Sequence, residues 1–384
     1  MATPRSSSGP STGPATIIDF IATAPFEISA LVFSYLENCH LKALRLTCKK
    51  LANLMSPHLR FKRIFISAIP LNLQVFRAIA EHETFRRDVR EIIWDDARYE
   101  KPPSDFVTFE GEYDDECVYP DEYPDNSDDD DDGPQKVPRG VPIWHFIRCK
   151  ENVEYLEERR DNDVKTLPQH LEIFQQLDAQ LPLDVAYAHY QELLKQQEQV
   201  LSTSAHVAAF KWALETGRFT NLKRITLTPA AHGILFKPLY PTPAIRALPY
   251  GFNYPLPRGW PASKDKEGAD YEMWGREEDK DKWRGFRLVV SILAEQGHAT
   301  SKITEMIFDG NHIQSGLTCG IFHTPEPCLE YDHLATVIKM QGFNTLRLNP
   351  HGLRGRRQQL HRLPQRAPEA DIGGRLATLY LGDR

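Results

Sequence analysis

The chain has 384 residues, of which 41% are hydrophobic and 26% charged, so it can bury a core and form two or three domains. Its apolar runs are far shorter than the roughly 18–20 residues that cross a membrane, so we expect no membrane span. Six cysteines in so long a chain predict no dense disulfide framework, and we expect a cytoplasmic or nuclear protein.

The first 16 residues are rich in Ser, Pro and Gly and predict a disordered leader. Beyond them, apolar residues recur at steps of three and four, which predicts three short helices within residues 17–66. Such short helices are unstable singly and must pack on one another or on a partner. The predicted helices carry Ile28, Leu31, Val32, Tyr35 and Leu36, then Leu41, Leu44 and Cys48, then Leu51, Leu54 and Met55.

The segment from Pro25 to Leu51 resembles an F-box of the kind common in filamentous fungi, and residues 75–99 resemble the continuation seen in such proteins. The resemblance implies a three-helix domain that binds a Skp-type adaptor and, through it, a cullin-based ubiquitin ligase. Residue-by-residue matching gives the adaptor interface as Pro25, Ile28, Val32, Leu36, Leu41 and Leu44.

Two positions depart from the family's pattern. Ala24 stands where the family usually has Leu, and His40 stands where it usually has an Asp helix cap. They favour an alternative, in which the chain is a structural or scaffolding protein with a degenerate F-box that no longer binds the ligase. A further alternative is that the apolar residues pack entirely against the chain's own second half.

The net charge of −7 is concentrated in one segment. Thirteen acidic residues and no Lys or Arg lie between Glu110 and Asp132, and the remainder of the chain carries a charge of +6. Such a segment repels itself and has few apolar groups to bury, so we predict a disordered acidic insertion over residues 101–140. An acidic segment that binds a partner is the alternative.

Five segments are apolar at positions i, i+3 and i+5, the spacing of a leucine-rich-repeat strand. Candidate helices at 205–216, 284–296 and 329–340 precede three of them. The intervals of 133, 81, 40 and 33 residues are irregular. We therefore predict an irregular leucine-rich-repeat-like α/β solenoid over 67–384, with an ordinary α/β domain as the alternative. The five segments are Val89/Ile92/Trp94, Leu222/Ile225/Leu227, Ile303/Met306/Phe308, Phe343/Leu346/Leu348 and Leu376/Leu379/Leu381.

A second insertion is predicted over residues 235–282, where Pro and aromatic residues interleave and a highly charged stretch follows. Exposed aromatic rings there would form a recognition surface, whereas buried rings would indicate a stiff packed loop.

The sequence predicts no catalytic, cofactor or metal site. Asp95 and Asp96 are adjacent on an extended strand, which suits capping and turn roles better than shared acid/base chemistry. The residue types of His312, Cys319, His323, Cys328 and His333 suit zinc, but their spacing does not, so an enzyme that uses this region is the least favoured hypothesis.

The basic residues are scattered and no nucleic-acid-reading motif occurs, so we expect no nucleic-acid partner. We predict a non-catalytic adaptor whose solenoid binds an unknown protein substrate. Arg347, Glu305 and Lys223 are weak candidates for substrate contact, because they lie beside the strand cores.

Overall fold

The computed structural model shows a mixed α/β fold. Among the described residues, no helix is both long enough and apolar enough to span a bilayer. The predicted leader at 1–16 and residues 102–136 of the predicted acidic insertion lie outside the described part of the chain. The residues described are 24–101, 137–163, 168–260, 274, 276–297, 302–310, 317–318, 321, 327–348, 350–351 and 378–381.

Three helices follow one another at the N-terminus, as the apolar spacing predicts: α1 (Phe26–Ser34), α2 (Asn38–Thr47) and α3 (Lys49–Met55), then a 3₁₀ turn at Ser56–His58. Cys48 is extended, with φ −158° and ψ 160°, and therefore separates α2 from α3. These helices pack around a small core of their own, formed by Phe33, Leu41, Leu51, Met55 and Leu59.

Six parallel strands form one sheet, and their order in the sheet is their order in the chain. A separate two-stranded pair joins β5 (Leu317–Thr318) to β7 (Pro350–His351). The six strands are β1 (Arg63–Ile66), β2 (Glu91–Asp95), β3 (Arg224–Thr228), β4 (Glu305–Phe308), β6 (Thr345–Leu348) and β8 (Thr378–Leu381).

All five segments with the i, i+3, i+5 spacing become strands of this sheet. The middle residue of each segment pairs with the middle residue of the next, as Ile92 does with Ile225 and Ile225 with Met306. Alternation along β2, β3, β4 and β6 turns the middle residues of these four strands to one face of the sheet, where they are buried. The spacing therefore predicted β2, β3, β4, β6 and β8 correctly.

The remaining helices lie along the chain between the strands of the sheet, with four in succession between β2 and β3. Helices were predicted at 205–216, 284–296 and 329–340, and α9, α12 and α13 confirm all three to within two residues. In chain order the helices are α4 (Pro70–Glu81), α5 (Glu83–Arg87), α6 (Ile143–Asp163), α7 (Pro168–Asp178), α8 (Leu183–Thr203), α9 (Ala205–Glu215), α10 (Pro243–Arg246), α11 (Glu277–Lys280), α12 (Arg284–Glu295) and α13 (Leu329–Ile338).

The main core lies between the sheet and helices α4, α9, α12 and α13. Phe76 of α4, Phe210 of α9, Phe286 of α12 and Leu334 of α13 all join the cluster that contains the inward strand residues. One face of the sheet is thus covered by helices, and most residues of β2 and β3 on the opposite face are buried as well.

A second core forms where α6, α7 and α8 are inserted between β2 and β3. The Pro-rich segment that follows β3 completes this core, with Phe252 and Tyr254 buried in it and Trp260 buried beside the main core. Tyr250 remains 56% exposed. The packed-loop interpretation is therefore correct for Phe252, Tyr254 and Trp260, and the exposed-aromatic interpretation is wrong for them, because all three rings are buried. Residues 261–273 lie outside the described range.

One domain boundary differs from the sequence prediction. Residues 63–66, assigned above to the N-terminal helical unit, form β1 of the sheet. Ile64 and Ile66 pair in register with Ile92 and Trp94, so their burial depends on β2 and not on the N-terminal helices. The helical unit therefore ends before β1.

Candidate docking site

Helix α1 has one buried side and one open side. Ser29 and Phe33 are buried, one turn apart on the inner side. Four apolar residues follow the helical spacing on the outer side: Ile28, Leu31 and Val32 are about half exposed, and Tyr35 is 82% exposed. We call Ile28, Leu31, Val32 and Tyr35 the α1 stripe. Single exposed apolar residues are ordinary, but four on one helix face form a patch of the kind that binds partners.

The inner side of α1 is fixed by specific contacts. The Phe33 ring packs edge-on against His58, with 5.0 Å between ring centroids. Burial, followed by the positive charge of Arg60, lowers the pKa of His58, which favours the neutral imidazole beside this ring. Because these contacts fix the inner side of α1 against the N-terminal core, the α1 stripe faces outward.

The helical unit is also joined firmly to the sheet. Asn38 at the start of α2 accepts a hydrogen bond from the Arg60 backbone N–H at 3.0 Å and donates one to the Arg60 carbonyl. The Phe61 and Phe85 rings then meet edge to face at 4.9 Å, across the junction with α5. The candidate docking site and the sheet domain are therefore parts of one packed structure.

The six predicted adaptor-binding residues divide into two groups. Pro25, Ile28 and Val32 are exposed, as a docking role requires. Leu36 and Leu44 are half-buried against the N-terminal core, and Leu41 is fully buried within it. Leu41 is therefore not accessible to a partner in this structure, because α2 turns Leu41 and Leu44, three residues apart, toward α1 and α3, and the adaptor interface itself stays a prediction.

Three exposed residues were missed by that prediction: Leu31, Tyr35 and Leu46. Leu31 and Tyr35 share the helical spacing of Ile28, so the same periodicity pointed to them. Leu46 is 88% exposed because it lies two positions after Leu44, on the opposite side of α2.

The N-cap of α2 is not at position 40, where the family's pattern usually has an Asp cap. Helix α2 begins at Asn38, with Glu37 as its N-cap, so His40 lies inside the first turn. Glu37 makes no side-chain capping hydrogen bond, and His40 is exposed. Because position 40 is not the cap position of α2, the presence of His40 there gives no reason to expect a less stable helix.

The face of the sheet opposite the helices carries a ladder of alternating charges, Arg63, Glu91, Arg224 and Glu305, one from each of four adjacent strands. Arg63 Nε donates to Glu91 Oε2 at 2.7 Å, and Arg224 Nε donates to Glu305 Oε2 at 2.7 Å. Thr226 donates to the other Glu91 oxygen at 2.6 Å. Of the weak substrate candidates, Glu305 is thus already paired, whereas Arg347 and Lys223 are exposed.

Asp95 and Asp96 are buried at the end of β2 and make structural contacts. Asp95 accepts a hydrogen bond from the Ala97 backbone at 3.0 Å, the turn role expected from the sequence. Burial raises the pKa of Asp95 to about 8, although the Ala97 N–H opposes the shift. Asp96 accepts from Trp260 Nε1 at 2.9 Å, and burial also raises its pKa. Both carboxyl groups are enclosed, so neither is presented to a reactant.

The zinc-like set is only partly within the described residues. His312, Cys319 and His323 lie outside them. Cys328 is buried and donates its thiol hydrogen to Glu330 at 3.4 Å. Within the ranges described, no group of three or more His, Cys, Asp or Glu side chains is arranged to hold a metal ion.

Comparison with known proteins identifies no relative: no protein-family model, no curated protein and no solved structure matches this chain.

Proposed function

We propose that this protein is a substrate-recognition adaptor of a Skp/cullin/F-box-type ubiquitin ligase, in the cytoplasm or nucleus. In this proposal the N-terminal helices dock to a Skp-type adaptor, and the sheet domain binds a protein substrate. The observation that carries it is the α1 stripe, because its apolar residues lie within the segment that resembles an F-box and remain exposed.

The exposed apolar surface of the α1 stripe favours a docking role. Burial of a Val, Leu or Ile side chain contributes about 1.5–3 kcal/mol when it is complete. About half of Ile28, Leu31 and Val32 and most of Tyr35 are still available for burial. The α1 stripe thus offers four apolar groups against which a partner helix can pack. Leu41 has no part in the revised interface.

The second half of the proposal is a leucine-rich-repeat-like solenoid. It is supported by six parallel strands in chain order and by helices that cover one face of the sheet. The hydrogen bonds where strands start also repeat: the Lys62 carbonyl accepts from residues 90 and 91, and the Arg90 carbonyl from residues 223 and 224. Equivalent units that contact their neighbours are the defining feature of a solenoid.

The proposed mechanism is proximity. When the sheet domain holds a substrate and α1 binds the adaptor, the lysines of the substrate lie near a conjugating enzyme that carries ubiquitin. Their effective concentration rises without any catalytic group on this chain.

A binding assay with a purified Skp-type adaptor tests the proposal. We expect the full chain to bind, and Ile28→Asp with Val32→Asp to weaken binding at least about tenfold, because two charges would be buried in the interface. Leu171→Asp with Val185→Asp is the matched control, since these residues are 62% and 49% exposed and lie on α7 and α8. We expect this control to bind normally.

Failure of the unmutated chain to bind the adaptor would overturn the proposal. It would favour the scaffold with a degenerate F-box, the alternative for which Ala24 remains the sequence argument. Equal loss of binding in the two double variants would show that the α1 stripe is not the interface.

A further inference from the structure

We propose that three exposed cations where the first strands of the sheet start, Lys62, Arg90 and Lys223, bind an acidic, carboxylate-rich segment of a partner protein. We call these three residues the strand-start row. Its assignment as a substrate site rests on the proposed function, whereas the binding of an acidic segment does not.

The backbone fixes the spacing of the row. The Lys62 carbonyl accepts hydrogen bonds from the N–H groups of Arg90 at 2.9 Å and Glu91 at 3.1 Å. The Arg90 carbonyl accepts in the same way from Lys223 at 2.9 Å and Arg224 at 3.0 Å. Adjacent strands lie about 4.8 Å apart, so the three backbone positions span about 10 Å in a fixed line.

The charge of the row is not compensated within the described structure. All three side chains are exposed, and none has an ion pair or side-chain hydrogen bond among the described residues. One position further along, Arg63 and Arg224 are paired with Glu91 and Glu305, so those carboxylates are already bonded.

The surroundings add to the positive charge. Lys302 extends toward the loop before β3, where its Nζ donates to the Thr220 carbonyl at 3.4 Å. Asp88 is an exposed carboxylate two residues from Arg90, and Arg87 is paired with Glu83. Three uncompensated cations in the row therefore outweigh one nearby anion.

The occupant that fits is an extended Asp/Glu-rich peptide. Carboxylates on such a peptide can meet ammonium and guanidinium groups held at regular intervals, and arginine binds a carboxylate with two hydrogen bonds. Single-stranded nucleic acid would also need exposed aromatic rings for its bases. The rings of Phe61, which precedes Lys62, and Phe85 are half-buried against each other, so the row favours the acidic protein.

The position of the row gives it a use in the proposed adaptor. Lys62 follows Phe61 directly, at the junction between the N-terminal helices and the sheet. An acidic substrate segment bound there would lie next to the docking unit.

The test measures binding of a fluorescein-labelled twelve-residue peptide of Glu, Asp and Gly to the full chain, by fluorescence anisotropy. The row variant is Lys62→Glu, Arg90→Glu and Lys223→Glu. The matched control, with the same change in net charge, is Lys195→Glu, Arg246→Glu and Lys339→Glu at exposed positions elsewhere. We expect the row variant to bind at least about tenfold more weakly and the control to stay within about twofold.

Three outcomes would overturn the proposal: no binding by the unmutated chain, equal loss in both variants, or tighter binding of a twelve-nucleotide single-stranded DNA than of the peptide. A second set, with the three row residues changed to Gln, replaces the charge reversals if those variants do not fold. The peptide assay contains no Skp-type adaptor, so its result is independent of the adaptor assay.

Discussion

The backbone N–H of Gly285 donates a hydrogen bond of 3.0 Å to the carboxylate of Asp96, which joins the residue after β2 to the start of α12, 189 positions later. A Cβ atom at position 285 would overlap the Asp96 carboxyl group. Trp260 and Arg98 bind the same carboxylate, so it cannot move aside without losing buried hydrogen bonds.

We therefore expect Gly285→Ala to lower the free energy of unfolding by about 1–3 kcal/mol, as overpacking of a buried site does. Urea denaturation measures the change. Gly297→Ala is the control, because a Cβ atom there meets no atom within 4 Å. Equal stability of the two variants would show that the site around Asp96 can relax.

The buried Asp95 carboxyl should make stability depend on pH. Its pKa is about 8 in the folded chain, against 3.8 for an ordinary Asp. Between these values the folded state holds a proton that the unfolded state has lost, so this group's contribution to stability falls as the pH rises.

Asp95→Asn removes that titration while it keeps an oxygen to accept from Ala97. We expect the stability of the variant, relative to the unmutated chain, to increase by about 1 kcal/mol for each pH unit between pH 5 and pH 8. Urea denaturation at three pH values checks this. The lowered pKa values of His145, His206 and His232 are common to both proteins and cancel in the difference. A difference that does not change with pH would contradict the prediction.

The two sides of α1 should respond differently to truncation. Phe33→Ala empties a buried site and should cost about 3–5 kcal/mol, whereas Tyr35→Ala removes an exposed ring and should change stability by less than about 0.5 kcal/mol. Hydrogen exchange of residues 26–59 measures the local effect. Similar loss of protection in both variants would mean that the α1 stripe is covered.

Within the charge ladder, Glu91 and Arg63 should contribute unequally to the stability of the fold. Glu91 is buried beneath Arg63, Arg224 and Thr226, whereas the Arg63 side chain is 58% exposed. Glu91→Ala leaves Arg63 without a carboxylate and Thr226 without its acceptor, while Arg224 keeps its bond to Glu305. The change should cost about 2–4 kcal/mol, whereas Arg63→Ala should cost about 1 kcal/mol or less. Thermal unfolding of both single variants and the double variant measures the coupling, and equal costs would contradict this reading.

Sequence periodicity alone determined five of the six strands, because a buried strand beneath a covering helix needs apolar residues at fixed positions wherever it lies in the sheet. Phe61, Ile64 and Ile66 follow the same i, i+3, i+5 spacing, so the missing strand β1 was also readable. It was missed because residues 63–66 were assigned to the N-terminal helical unit that precedes them.

Only the tertiary structure decided which apolar residues of the N-terminal helices are covered. Helical spacing identifies an apolar side, but the packing of α2 against α1 and α3 buries Leu41, whereas Leu31, Tyr35 and Leu46 stay exposed. The same holds for Trp260 and Asp96, which are 164 residues apart and meet only because β2 and the loop after β3 end at one edge of the sheet. Contacts between distant segments depend on how whole elements pack, and no local pattern in the sequence records that arrangement.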